Sequence, residues 1–326
     1  MARTFRVGTR ASTMAIRQTE AVIDALRQRF PEHTFEMVTR QADADKDLKS
    51  RLSAMGGKGG AFITGMREMV LAGGADMVMH SLKDLPGDEA YYADTVFTIG
   101  ACLPRSDARD ALVLKNVARP APDTLPAVLG TSSVRRVAFL RRLFRDSQVV
   151  PFRGAADKRV KRLDEGTPMV FNYGGRTPPV DALVLAKAGL ERIGLGERIS
   201  RIFSIDEMCP AVGQGVVVVE HATGNGEVAA MLAAINDQLT SYCYQAERSL
   251  LRALRGHCDS PIGGHAWIAD GKLRIKAVVL SLDGRSILDV EDETDFVDPV
   301  SLGARTGERL NRLGAQTLIE ESRHSG

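Results

Sequence analysis

Ala75-Asp76-Met77-Val78-Met79-His80-Ser81-Leu82-Lys83-Asp84-Leu85-Pro86 sets an apolar run against a charged pair. Ala75 to Met79 reads as a short buried strand. Lys83 and Asp84 then fall at its C-terminal edge, just ahead of a helix-stopping proline. In an open α/β sheet that edge is where ligands bind. A solvated Lys–Asp pair in an ordinary loop would carry the same local sequence, so the surrounding chain decides.

Working outward, short apolar strands alternate with amphipathic helices through roughly the first two thirds, the pattern of a parallel sheet covered on both faces. Thr4 to Val7 reads as the first strand and Gly8-Thr9-Arg10-Ala11-Ser12 as a loop. Ile16, Val22, Ile23, Leu26 and Phe30 then mark the apolar stripe of a helix ending near Pro31. The arrangement recurs at Ala127-Val128-Leu129, Gly130-Thr131-Ser132-Ser133 and a helix carrying Val134, Val137, Leu140 and Phe144, which suggests two similarly built domains. From about Asn236 the texture changes. A helix around Ala246 to Leu254, a Gly-rich turn, strands near Leu273 to Leu280 and Ile287 to Val290 joined through Asp283-Gly284, and a last helix after Pro299 make a smaller α+β domain.

With 326 residues and 44% hydrophobic content, the chain can bury more than one core, so two or three domains are expected. A formal net charge of +2 gives no sign of nucleic-acid binding, although 43 Lys and Arg leave ample material for a local anion site. No apolar run approaches a membrane span, and Met1-Ala2-Arg3-Thr4-Phe5-Arg6 lacks the apolar core of a signal peptide, so the cytoplasm is the expected location. Cysteines 102, 209, 243 and 258 show no spacing suited to zinc, no metal site is expected, and a reducing compartment argues against disulfides. Any special cysteine acts alone.

Gly130-Thr131-Ser132-Ser133 ahead of a helix is a good anion site, because unpaired backbone N–H groups and the helix dipole both favour negative charge. Arg135 and Arg136 follow, pointing roughly 100° apart, so they would serve two carboxylates better than one. Capped-helix arginines in solvent are the plain alternative, and it suits Arg141, Arg142 and Arg145. Phe152-Arg153-Gly154 supplies another arginine at a strand end, with Arg159 close behind. Together these describe a cleft for a ligand with several carboxylates or phosphates, held by arginine forks. Arg255-Gly256-His257-Cys258-Asp259-Ser260-Pro261-Ile262-Gly263-Gly264 places a cysteine in a glycine-flanked turn after a basic helix, surroundings that raise its thiolate fraction. His257 beside it does not make a hydrolase dyad, because sequence neighbours seldom do.

Over nearly its full length the chain resembles the porphobilinogen deaminases, also called hydroxymethylbilane synthases. The shared segments are Thr9-Arg10-Ala11-Ser12, Gly56-Gly57-Lys58-Gly59, Ala75-Asp76 with His80 to Pro86, and Gly130 to Arg136. Further matches are Arg153-Gly154, Ala188-Gly189-Leu190-Glu191-Arg192, Pro210-Ala211-Val212-Gly213-Gln214-Gly215, and Cys258 with Pro261-Ile262-Gly263. The resemblance implies an α/β fold with two lobes like those of periplasmic binding proteins, built on parallel or mixed sheets, plus a smaller C-terminal α+β domain. The expected boundaries are 1–102 with 213–236, 103–212, and 237–326. It also implies an enzyme that condenses four porphobilinogen molecules head to tail with release of ammonia. The reaction is built on a dipyrromethane cofactor held by a thioether, and the matching cysteine is Cys258.

In that reading Asp84 is the catalytic acid/base, hydrogen-bonding pyrrole N–H groups and stabilising the cation that coupling creates. Lys83, Ser81, Thr131, Ser133, Arg135, Arg136, Gly154, Arg159 and Gln214 are expected around the cofactor. Arg10, Ser12, Arg153, Arg192 and Lys58, the last on a loop over the cleft, are expected around the substrate. The partners are porphobilinogen and the growing oligopyrrole, with no nucleic acid or membrane, and the chain is expected to be a monomer. The chain departs from the family's pattern at Gln41 to Asp45, Thr64-Gly65, Ala155 and His257, and in the extra Thr167 to Val180 segment, which reads as a surface loop. These departures suggest a diverged member. The competing readings are a paralogue making another oligopyrrole or pyrrole product and a non-catalytic two-lobed protein that binds a polyanion; the latter would need neither Asp84 nor Cys258.

Overall fold

Apolar alternation sorts the strands of this computed structural model, which describes residues 2–40, 57–115, 126–170, 175–257, 259–295 and 298–324. In chain order they are β1 (Thr4–Arg10), β2 (Thr34–Arg40), β3 (Met77–Ser81), β4 (Phe97–Cys102), β5 (Asp110–Leu114), β6 (Val128–Gly130) and β7 (Gln148–Val150). There follow β8 (Ala182–Ala186), β9 (Arg201–Ile202), β10 (Val217–Ala222), β11 (Ile262–Ala269), β12 (Lys272–Leu280) and β13 (Ile287–Asp295). The helices are α1 (Thr13–Arg29), α2 (Gly57–Leu71), α3 (Glu89–Ala93), α4 (Val134–Leu143), α5 (Ala156–Glu165), α6 (Lys187–Arg192), α7 (Gly226–Ala233), α8 (Gln238–Ala253), α9 (Pro299–Arg312) and α10 (Ala315–His324).

The strands form three sheets, ordered β2-β1-β3-β10-β4, β7-β6-β8-β5-β9 and β11-β12-β13. In the first, β1 is parallel to β2 and β3, whereas β10 runs antiparallel to β3 and β4. The second repeats this plan, with β6 parallel to β7 and β8 and with β5 antiparallel to β8 and β9. In each lobe the reversed strand is the first that the chain enters after crossing from the other. Residues 103–109 make the outward crossing and residues 203–216 the return. The sheets are therefore mixed, as a chain that enters one lobe, leaves and returns requires. The third sheet is an antiparallel meander.

Strand β5 shows why a near-continuous apolar run is needed here. Successive side chains face opposite ways, so Ala111 and Val113 join Phe152, Val160 and Leu163 on one face while Leu112 meets Phe139 and Phe203 on the other. Both faces are covered, as in other doubly wound sheets. The first lobe has an equivalent core around Phe5, Val22, Leu26, Phe35, Met77 and Val219.

Several sequence expectations are corrected. The first strand continues past Val7 to Arg10, because Gly8, Thr9 and Arg10 pair with Val38, Thr39 and Arg40. The close approach rests on Gly8, where a Cβ would stand 2.8 Å from the Val78 side chain. The Gly-rich stretch after Pro261 is not a turn but strand β11. Its Gly263 lies so close to the second lobe that a Cβ would come within 2.9 Å of the Cys209 carbonyl oxygen, the usual reason for a glycine inside a strand. The helix read around Ala246 begins at Gln238, and α10 follows α9. The extra segment is more than a surface loop: Met169 and Val180 are buried in the second lobe, and Thr177 donates its N–H to the Met169 carbonyl at 3.0 Å. Residues 171–174 within it, and the Gln41 to Asp45 stretch, lie outside the described residues. Among the described residues no helix is long and apolar enough to cross a membrane.

Candidate active site

Strand β3 runs out at Ser81 into a single 3₁₀ turn, Leu82–Asp84, in which Leu82 is buried and Lys83 and Asp84 are left at the carboxyl edge of the first sheet. Strand β1 ends beside it, so Arg10 Nη1 stands 3.8 Å from Asp84 Oδ2. Ser12 caps α1 by accepting the Ala15 N–H at 3.3 Å, and α1 in turn offers Gln18, which exchanges hydrogen bonds with the Ser81 hydroxyl at 2.9 and 3.1 Å. The second lobe mirrors this edge: β6 ends at Gly130, and Ser133 caps α4 by accepting the Arg136 N–H at 3.5 Å.

The two edges face one another across a cleft of about 300 Å³. From the first lobe it is lined by Arg10, Ser12, Ser81, Lys83 and Asp84; from the second by Ser133, Arg136, Arg153, Gly154, Arg159 and Arg192. A smaller space of about 110 Å³ continues from it toward the C-terminal domain, sharing Lys83, Asp84, Ser133 and Arg136 and adding Arg135, Gln214, Arg248, His257 and Ser260. The expected residues thus converge, with three exceptions. Thr131 is buried and spends its hydroxyl on the Ser133 N–H at 3.3 Å, shaping the turn instead of lining the cleft. Lys58 falls in the first turn of α2, not on a loop, and its side chain lies outside the described residues. Cys258 also lies outside them, although His257 and Ser260 on either side of it line the smaller space.

The expectation that Arg135 and Arg136 each await a separate ligand carboxylate needs correcting, because both are paired with one internal carboxylate. Asp110, fully buried at the start of β5, accepts from Arg135 Nη2 at 2.6 Å and from Arg136 Nη2 at 2.8 Å. Gln214, on the return crossing, donates to Asp110 Oδ1 at 2.9 Å and to the Ala108 carbonyl at 2.7 Å. Burial would push the Asp110 carboxyl up, but the two guanidiniums hold it well below the usual carboxylate range. One negative charge against two positive ones leaves this cluster net cationic and keeps Arg136 facing the cleft. Arg135 is further committed to the Cys209 carbonyl at 2.6 Å.

The rest of the cleft is electropositive. Burial, together with Arg136, lowers the Lys83 ammonium to about 8 against the opposing pull of Asp84. Burial and Arg136 likewise bring Arg159 down to about 10, and among the described residues its Nε has no hydrogen-bond partner. Arg192 is held by the Ser106 hydroxyl at 2.7 Å and the Gly215 carbonyl. Gly215 itself needs to be glycine: its φ is +88° and a Cβ would stand 2.4 Å from the Ser106 carbonyl oxygen. This donor set fits a bound group that carries several carboxylates, since such a group would supply the missing acceptors.

Sequence reasoning missed four contributors besides Asp110. Glu220 on β10 is buried and bonded to Arg67 at 2.8 Å and to the Tyr91 hydroxyl at 2.8 Å, with His80 at 3.3 Å; the pairing fixes β3 just before the Lys83–Asp84 turn. Arg105 and Glu247 tie the two crossings to α8, Glu247 accepting the Gly213 N–H at 2.7 Å and Arg105 donating to the Gln214 carbonyl at 3.0 Å. Arg248, next on α8, donates to the carbonyls of Leu85, at 3.2 Å, and Pro86. An acid within an apolar strand was the available signal for Asp110 and Glu220, because a buried carboxylate requires partners.

Residues 5–230 match the profile of the porphobilinogen deaminase dipyromethane cofactor binding domain, and residues 241–312 match the porphobilinogen deaminase C-terminal domain. Porphobilinogen deaminase of Thiobacillus denitrificans is 37% identical over 317 residues, covering 97% of this chain and 98% of that protein. The enzyme of the same name from Alkaliphilus metalliredigens is 34% identical over 320 residues, covering 98% and 95%. Among solved structures, the methionine binding protein MetQ aligns over 75% of this chain and 91% of that one with a TM-score of 0.42 and 10% identity. Two domain profiles in order and full-length relatives show that the chain belongs to the porphobilinogen deaminase family.

Proposed function

We propose that the chain is a hydroxymethylbilane synthase, joining four porphobilinogen molecules on a dipyrromethane cofactor with release of ammonia. The observation that carries this is the convergence of one carboxylate, Asp84, with Lys83, Arg10, Arg136 and Arg159 on a cleft whose continuation is lined by residues flanking position 258. Arginines of the second lobe and Lys83 would hold the carboxylates of the cofactor, with Cys258 as its thioether anchor. When bound, that group would supply the nucleophilic pyrrole carbon to which the first unit is joined.

The chain's own residues do the rest. Each substrate brings an acetate and a propionate group, which Arg10, Arg153 and Arg192 orient, with Ser12 beside them. Asp84 sits where it can accept a pyrrole N–H, offset the positive charge that develops on the ring, and pass a proton when the C–N bond to the leaving ammonia breaks. A buried, net cationic wall excludes water and lowers the cost of gathering several carboxylates in one place. Sheet membership supports a division into domains of residues 1–102 with 213–236, 103–212 and 237–326. We propose further that the enzyme acts as a cytoplasmic monomer.

The test is to supply porphobilinogen and follow ammonia together with the mass of the released product. A linear four-ring product is expected, and Asp84→Asn should lower the rate by about 10²- to 10⁴-fold, the usual contribution of a positioned acid or base. A variant as fast as the parent chain would remove Asp84 from the mechanism.

A further inference from the structure

Beside Arg255, Gly256 and His257 lies a second cavity, of about 1130 Å³, between the first lobe and the C-terminal domain. It is more than three times the size of the 300 Å³ cleft at Asp84. Its wall sets aromatic rings beside guanidiniums and also includes Asp88 and Glu89, the latter accepting from Arg252 at 2.9 and 3.0 Å. Arg248 Cζ lies 4.9 Å from the ring centroids of both Tyr91 and Tyr92, and Arg252 Cζ lies 5.0 Å from that of Tyr92. Arg248 and His257 line this cavity and also the 110 Å³ space that continues from the catalytic cleft, so the two regions share a wall.

Arg248 is the telling residue. It is only 6% exposed, it donates to two backbone carbonyls, and no carboxylate of the described residues lies within ion-pair distance of it. A buried guanidinium whose partners are neutral keeps its charge uncompensated, which is costly unless a ligand anion completes it. Rings stacked beside guanidiniums suit a ligand that is both aromatic and carboxylated.

Resting on the transferase reading above, we propose that this cavity receives the older rings of the growing oligopyrrole. Units join at the free end, beside Asp84, while the other end is tethered at position 258. Each addition therefore requires rings already joined to move away from Asp84. A 300 Å³ cleft is at the lower end of what encloses one drug-sized ligand, and the 110 Å³ continuation adds little. The space beside Gly256 and His257 is large enough, and its tyrosines and arginines match pyrrole faces and their carboxylates. The chain backs out past Arg248 and His257, so the catalytic geometry at Asp84 stays the same for every unit.

The test uses the cofactor-loaded enzyme with limiting porphobilinogen, reading by intact mass how many units each molecule carries over time. Thr98→Trp and Ala304→Trp fill the cavity from different elements, β4 and α9, and neither residue lines the catalytic cleft or its continuation. In each, the first addition should keep its rate, while the third and fourth slow by about tenfold or more and chains with one or two added units accumulate. A second readout is modification of Arg252 by phenylglyoxal in the unsubstituted enzyme, which should slow by about fivefold once three units are attached, as a stacked ligand covers its face. An unchanged ladder in both variants, or equal slowing of all four additions, with Arg252 equally reactive throughout, would overturn the proposal. Absence of any added units on the unsubstituted chain is a separate result, which would overturn the transferase reading and this inference with it.

Discussion

Replacing Asp110 by asparagine keeps the shape of the side chain and removes the one negative charge between Arg135 and Arg136. All three groups are buried, so the variant leaves two guanidiniums at close range with only carbonyl and amide oxygens as partners. Breaking a buried pair in this way costs about 3–5 kcal/mol, and both broken pairs sit in the second lobe. Native-state hydrogen exchange of the β6 and α4 amides reads that lobe directly, whereas a global melt mixes three domains. The pH dependence gives an independent check. The folded carboxyl is held below its ordinary value by the two guanidiniums, although burial opposes them. Its stabilising contribution is therefore complete above about pH 4–5 and is lost as pH falls through and below the ordinary carboxylate range. The gap between parent and Asp110→Asn should be widest near neutrality and close on acidification. A loss under about 1 kcal/mol, or a gap that does not narrow in acid, would refute the claim that one internal carboxylate organises both arginines.

Other expectations follow from the same structure. In a Cys258→Ser chain, which has no thioether anchor, carbamylation of Lys83 should rise with a midpoint near pH 8, well ahead of exposed lysines, which titrate near 10.4; coincident midpoints would show that the ammonium is not held in a buried cationic site. Glu220→Gln should cost the first lobe about 3 kcal/mol or more by hydrogen exchange at β3 and β10, because it strips Arg67 and His80 of a buried acceptor; an unchanged β3 would mean the pair does not support that strand. Gly303→Ala places a Cβ 2.0 Å from the Ala246 carbonyl oxygen and should destabilise the α8–α9 packing by about 1–3 kcal/mol or more, visible as a lower denaturation midpoint by the fluorescence of Trp267.

The strand-to-turn edge at Lys83 and Asp84 was legible because its signals are local: an apolar run, a charge pair and a proline within a dozen residues. The helix start after Gly130-Thr131-Ser132-Ser133 was legible for the same reason. The pairing of Arg135 with Asp110 was not, since 25 residues separate them, and adjacent helix arginines look alike whether they meet solvent, a ligand or a buried acid. Strand β11 was hidden by Gly263-Gly264, which in isolation signals a turn; here the glycines admit the second lobe and α8 against the strand. The end of β1 was misplaced for a similar reason, because Gly8 serves close packing against Val78 and not a loop. Most of the side chains named from motif matches share one cleft, but those matches said nothing of Arg248, whose contacts are with carbonyls more than 160 residues away.

The central claim is that this cleft carries a covalently held dipyrromethane on which porphobilinogen is polymerised. Intact mass of the purified chain, beside a Cys258→Ser control, tests it most directly. The account predicts an excess equal to two linked pyrrole units in the chain and none in the control. A chain that stays at its bare sequence mass even after incubation with porphobilinogen, or an adduct that survives in the control, would contradict it.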